Sequence, residues 1–116
     1  MKKVFHLSSC STCQRIIKEI NFPVGTIFQD IKEEPIQEDQ LEELKTLAGS
    51  YEALFSRRAI KFRSLSLNKK VLSEMDYKRW ILEEYTFLKR PAIVLEDNIF
   101  IGNAKKTVDS IKAYLS

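Results

Sequence analysis

The chain has 116 residues, of which 44% are hydrophobic and 30% charged, and it carries a net charge of +3. That length supports a single domain over residues 1–116, and the composition excludes an intrinsically disordered chain. The small positive charge does not by itself call for nucleic acid, and no apolar run approaches the roughly 20 residues that cross a bilayer.

Residues 2–7 predict a strand, and residues 11–20, with Ile16, Ile17 and Ile20 at helical spacing, predict the helix after it. The apolar stretch of the strand ends at Leu7, far short of a signal-peptide core. A cytoplasmic location and no membrane partner are therefore expected. Pro23 and Gly25 stop the helix, and Thr26 to Gln29 with Ile31 predict a second strand. Strand, helix and strand within about 30 residues make a βαβ unit, with parallel strands and a right-handed crossover.

Seven carboxylates lie between Asp30 and Glu43. Leu41, Leu44, Leu47 and Ala48 share one face, which predicts a helix over about 38–48 closed by Gly49, with most of the acidic run as its solvated side. Ser50 to Phe55 predicts one or two further helical turns. The charge then reverses: six basic residues and no acid lie between Arg57 and Lys70. Ser73-Glu74-Met75-Asp76 reads as a capping box with Asp in place of Glu. The helix it opens is expected to turn Tyr77, Trp80, Ile81 and Tyr85 inward. Ala92 to Leu95 predicts a buried strand, Glu96-Asp97-Asn98 a turn, and Ile99-Phe100-Ile101 the second arm of a hairpin. Gly102-Asn103 open a last helix with Ala104, Val108, Ile111 and Leu115 on one face.

The expected architecture is therefore α/β: a βαβ half and a ββα half sharing a mixed sheet, with a helical insertion over about 35–88 between them. A strand leading through Cys-x-x-Cys into a helix, with a hairpin and helix at the other end, is the thioredoxin-like pattern.

The only histidine and both cysteines fall within the eight residues His6 to Cys13. Cys10 stands where strand gives way to helix, and the unpaired amides of a helix N-terminus favour a thiolate there. Cys13, one turn further on, is shielded and well placed to attack a mixed bond at Cys10. In a reducing compartment such a pair is catalytic or metal-binding rather than a permanent staple. The plain alternative is two buried structural cysteines. A structural zinc site wants four ligands, and two cysteines with one histidine fall short, so no metal is expected. Taken singly, His6 reads equally as an edge histidine, Arg90 as a solubilising charge, and Arg58 as part of a solvated basic face.

Together, His6-x-x-x-Cys10, the Cys10-x-x-Cys13 helix start, the arginine of Ser56-Arg57-Arg58, and Leu88-Lys89-Arg90-Pro91 before the hairpin carry a resemblance. Over essentially its whole length the chain resembles the glutaredoxin-linked arsenate reductase family, which includes the Spx transcriptional regulators. The resemblance implies that Cys10 is the nucleophile and that His6 helps keep its thiol ionised. It implies Arg90 and Arg58 (or Arg57) as oxyanion ligands, Ser11 and Thr12 as amide donors, and Pro91 as a cis proline. It further implies arsenate or a similar oxyanion as substrate, no bound cofactor, and glutathione with glutaredoxin, or thioredoxin, as reductant.

Two departures stand out. The reductases carry a third arginine where this chain reads Ile101-Gly102-Asn103, with Gly102 in that place. Cys13 stands where the best-characterised reductases have serine, which favours an intramolecular disulfide. Two other readings follow from the same residues: an Spx-like redox switch that binds RNA polymerase, and a general thiol–disulfide oxidoreductase with no arsenate activity. Phe62 is the only aromatic in the basic run, which argues against a single-strand nucleic-acid binder.

Overall fold

In the computed structural model, which describes residues 1–116, the segment before the paired cysteines forms β1 (Lys2–His6), and the isoleucine-bearing segment after them forms α1 (Ser11–Glu19). The chain continues through β2 (Ile27–Asp30), α2 (Glu38–Ala48), α3 (Ile60–Ser64), α4 (Glu74–Glu83), β3 (Ala92–Leu95), β4 (Asn98–Ile101) and α5 (Lys105–Leu115). It divides into two compact units: Met1–Glu34 with Arg90–Ser116, and Pro35–Lys89.

The first unit holds the sheet, in the order β2-β1-β3-β4. β1 pairs with β2 in parallel and with β3 antiparallel, and β3 pairs with β4 antiparallel. This is the mixed, thioredoxin-like sheet that the order of elements predicts. The two central strands carry the longest buried runs, and all four residues of β3 are buried. Side chains alternate across the sheet, so Val4, Ile93 and Leu95 point to one face. There they meet Ile16 and Ile20 of the α1 segment and Val108 and Ile111 of α5. Burying each such aliphatic side chain is worth roughly 1.5–3 kcal/mol relative to exposure. α1 and α5 are thereby fixed to the sheet, and with them the turn that precedes α1.

The second unit is helical. Phe55 stacks on Phe87 with ring centroids 4.9 Å apart and also meets Tyr77 at 4.9 Å. Leu41, Leu44, Leu54 and Ile81 are buried in the same unit. Its two ends are drawn together by backbone bonds, Ser56 N–H to the Phe87 carbonyl at 2.7 Å and Lys89 N–H to the Leu54 carbonyl at 2.8 Å.

The expected helix ends hold closely. Gly49 closes α2 at φ +97°, a left-handed value that residues with a Cβ adopt at a cost. Ser73 opens α4 with both bonds of a capping box, its Oγ accepting from Asp76 N–H at 3.2 Å and its own N–H donating to Asp76 Oδ2 at 2.9 Å. Three details differ. α4 buries Tyr77 and Ile81 but leaves Trp80 half-exposed, and it ends at Glu83, so half-exposed Tyr85 belongs to a separate 3-10 turn. Ala104 is the exposed N-cap of α5 rather than a core residue. Within the basic run, α3 and a 3-10 turn at Leu67–Lys69 form where no apolar period signals them.

Candidate active site

The register of β1 and β2 sets His6 opposite Asp30, at the end of the strands from which the cysteine turn departs. Leu7 then ties the turn together. Its carbonyl accepts the Cys10 N–H at 3.0 Å and the Gln14 side-chain Nε2–H at 3.0 Å, while its backbone amide bonds to the Cys13 thiol. Cys10 takes the N-cap position of α1 with an extended backbone (φ −93°, ψ 106°), and its carbonyl accepts the Gln14 N–H at 3.0 Å. Ser11 and Thr12 follow as the first helical residues, and the amides of a first turn have no partner within the helix. Cys10 is half-buried and Cys13 fully buried, both as free thiols.

Burial pushes the Cys13 thiol above the ordinary thiol range. The Leu7 amide and Arg90 pull in the opposite direction, while the charges of Cys10 and Asp30 add to the rise. Cys10, Arg90 and Asp30 are thus the charges that bear on the Cys13 thiol. Arg90 is half-buried, and the Arg90–Pro91 peptide bond is cis, as the resemblance implies. Pro91 is buried and its carbonyl accepts the Gly102 N–H at 3.0 Å. Gly102 has φ +92°, a conformation strained for any residue with a side chain.

Two residues that sequence reasoning passed over also belong here. Asp30, counted above only as the first of an acidic run, accepts at Oδ1 from the Ser8 N–H at 3.3 Å and the Lys32 N–H at 3.2 Å. The Ser8 side chain and these amides hold its carboxyl below the usual carboxylate range. Asp30 thus anchors the turn that leads to Cys10. Gln14 reaches back eight residues to place its Nε2 at 3.1 Å from His6 Nδ1. The strand pairing of a βαβ unit was the available signal for Asp30; Gln14 had none.

Arg58 lies in the helical unit. It is exposed, and it lines a groove of about 620 Å³ together with Arg57, Ala59, Ile60, Arg63 and Ser64. Its neighbour Arg57 is committed elsewhere: one nitrogen donates to Glu52 and to the Tyr77 hydroxyl, each at 2.7 Å, with the guanidinium over the Tyr77 ring. Lys61 is likewise held by Glu84. Of the two adjacent arginines, Arg57 is the one with hydrogen-bond partners in this unit.

Comparison with known proteins gives a consistent result. The model of the ArsC family matches residues 5–111. Among solved structures, the YFFB protein superimposes with a TM-score of 0.80 at 22% identity, over 100% of both chains. The arsenate reductase from Vibrio cholerae gives 0.73 at 18% identity over 95% of this chain and 98% of its own. An arsenate reductase (ArsC) related protein from Brucella melitensis gives 0.69 at 16%, over 94% and 92%. No curated protein matches the chain. At these identities the structural likenesses establish the fold.

Proposed function

The chain belongs to the ArsC family, and from that premise we propose that it is a thiol-dependent oxidoreductase whose Cys10 thiolate attacks arsenate or a similar oxyanion. The observation that carries the reading is the position of Cys10 as N-cap of α1, with Cys13 one turn on and subject to the charge of Arg90. A thiolate there lies against the positive end of a nine-residue helix.

Arg90 binds the oxyanion by charge-assisted bonds, and the amides of Ser11 and Thr12 donate to its oxygens. Arg58, uncommitted in its own unit, is the second arginine that the resemblance implies. The Cys10 sulfur bonds to arsenic and an arsenate oxygen leaves as water. A second thiol then attacks the Cys10 sulfur. The sulfur–arsenic bond pair passes to arsenic, giving arsenite and a disulfide. Two thiols are oxidised as As(V) becomes As(III). That second thiol is Cys13 or glutathione, and glutaredoxin or thioredoxin restores the reduced pair. The family match lends no support to RNA polymerase as a partner.

Arsenate reduction by the purified protein, with glutathione plus glutaredoxin and then with thioredoxin, tests the proposal. Cys10→Ser should lose all activity, while Cys13→Ser should keep part of it where glutathione resolves. Full activity in both variants, or none in the native protein with either reductant, would overturn the arsenate reading.

A further inference from the structure

We propose that Gln14 is a positioning residue that fixes the tautomer of His6, so that His6 offers the thiol site an Nε2–H donor and no free basic nitrogen. The proposal rests on the reading above in taking His6 as the thiol-site histidine that the resemblance implies, but the tautomer itself follows from hydrogen bonding alone.

Gln14 Nε2 stands 3.1 Å from His6 Nδ1 and 3.0 Å from the Leu7 carbonyl oxygen. Facing a histidine alone, a carboxamide is ambiguous: its nitrogen can donate to a bare Nδ1, or its oxygen can accept from Nδ1–H. The Leu7 carbonyl removes the ambiguity. It can only accept, and it already takes the Cys10 N–H at 3.0 Å. Rotating the amide would set two oxygens face to face and lose a bond that helps hold the cysteine turn. The nitrogen therefore faces Leu7 and His6 together, and its two hydrogens serve one partner each. Nδ1 must accept, which leaves the ring proton on Nε2.

The rest of the ring's surroundings supply no competing partner for Nδ1. Phe28 meets the ring edge-on at 6.2 Å, an apolar contact. Asp30, opposite His6 in the strand pair, accepts at Oδ1 from the Ser8 and Lys32 amides and makes no hydrogen bond to the ring. With Nδ1 accepting from Gln14, Nε2 is the ring nitrogen left to donate. Gln14 thereby couples the first turn of α1 to the end of β1.

His6 is the only histidine, so a protein uniformly labelled with nitrogen-15 gives one pair of imidazole nitrogens to assign. Long-range proton–nitrogen correlation at about pH 8, above the ordinary histidine range, should place the proton on Nε2 and show Nδ1 as an acceptor. Gln14→Leu should lose this single-tautomer pattern and give an exchanging mixture. Gln14→Glu, similar in shape but unable to donate to either the Leu7 carbonyl or Nδ1, should lose the pattern as well. A native proton on Nδ1, or either variant keeping the native pattern, would overturn the proposal. Alkylation of Cys10 by iodoacetamide in the same samples separates the two readings. An inert Cys10 beside an Nε2–H histidine defeats the site reading and leaves the tautomer standing, and a reactive Cys10 beside an Nδ1–H histidine does the reverse.

Discussion

The two cysteines differ by three positions in the chain and by much more in environment. Cys10 caps the helix at half burial, whereas Cys13 is 0% exposed and its thiol is pushed above the ordinary range chiefly by that burial. Only a thiolate attacks a disulfide, so a resolving Cys13 is held back by the protonated form it favours. The sign is fixed: below the raised value, each unit of pH should raise the thiolate fraction, and the closure rate with it, about tenfold. A mixed disulfide made at Cys10 with a chromogenic thiol allows the measurement, because closure by Cys13 releases the chromophore. Its release rate should climb steadily from about pH 6 to about pH 8. A rate independent of pH over that span would remove Cys13 from the resolving role.

At the level of elements, helix ends decide where side chains arrive, and they vary in how openly the sequence declares them. Ser73 is the clearest, since its hydroxyl and Asp76 form the reciprocal bonds at the start of α4. Ser73→Ala should cost about 0.5–2 kcal/mol in urea unfolding, whereas Ser73→Gly, which keeps the backbone freedom of a cap, should cost only a few tenths. A Ser73→Ala loss no larger than that of Ser73→Gly would show that the backbone freedom of the cap adds nothing, and no loss from either would show that the helix does not rely on the hydroxyl bond. α2 uses the same device with glutamines, the Gln37 N–H donating to Gln40 Oε1 at 2.9 Å. Gln is a poor cap by preference, so that box was invisible in advance although the helix limits were not. α3 was invisible altogether, because Arg57 to Lys70 has no apolar period and its short helix buries no residue. The site divides in the same way. Cys10, Cys13, Arg90 and Pro91 stand in local patterns that can be read in order along the chain. Asp30 and Gln14 act across the strand–turn–helix geometry, where spacing in sequence says nothing about which atoms meet.

Across the whole molecule, charged contacts spread over both units, and their effect on stability has a definite sign. In the first unit Asp30, Glu96 and Asp109 are held below the carboxylate range, chiefly by the Ser8 side chain, the N-terminal ammonium and Lys105. In the second, Glu42, Asp76 and Glu84 are lowered, chiefly by the Tyr51 hydroxyl, the Ser73 amide and Lys61. A carboxylate lowered on folding contributes stability above its unfolded value, and that contribution disappears as pH falls through the folded value. Cys13 in one unit and Tyr51 in the other are raised, by burial and by the Glu42 bond respectively. Their contributions are complete below the ordinary thiol and phenol ranges and disappear as pH climbs past them. Stability should therefore form a plateau at about pH 6–8, with an acid limb below about pH 4 and an alkaline limb above about pH 9. Most of the carboxylate pairs are exposed and individually weak, so the acid limb is a sum of small terms and should flatten in about 1 M salt. Urea midpoints measured across this range at low and high salt check each part. A midpoint that stays level from about pH 6 down to about pH 3 would mean that these contacts do not hold the folded chain.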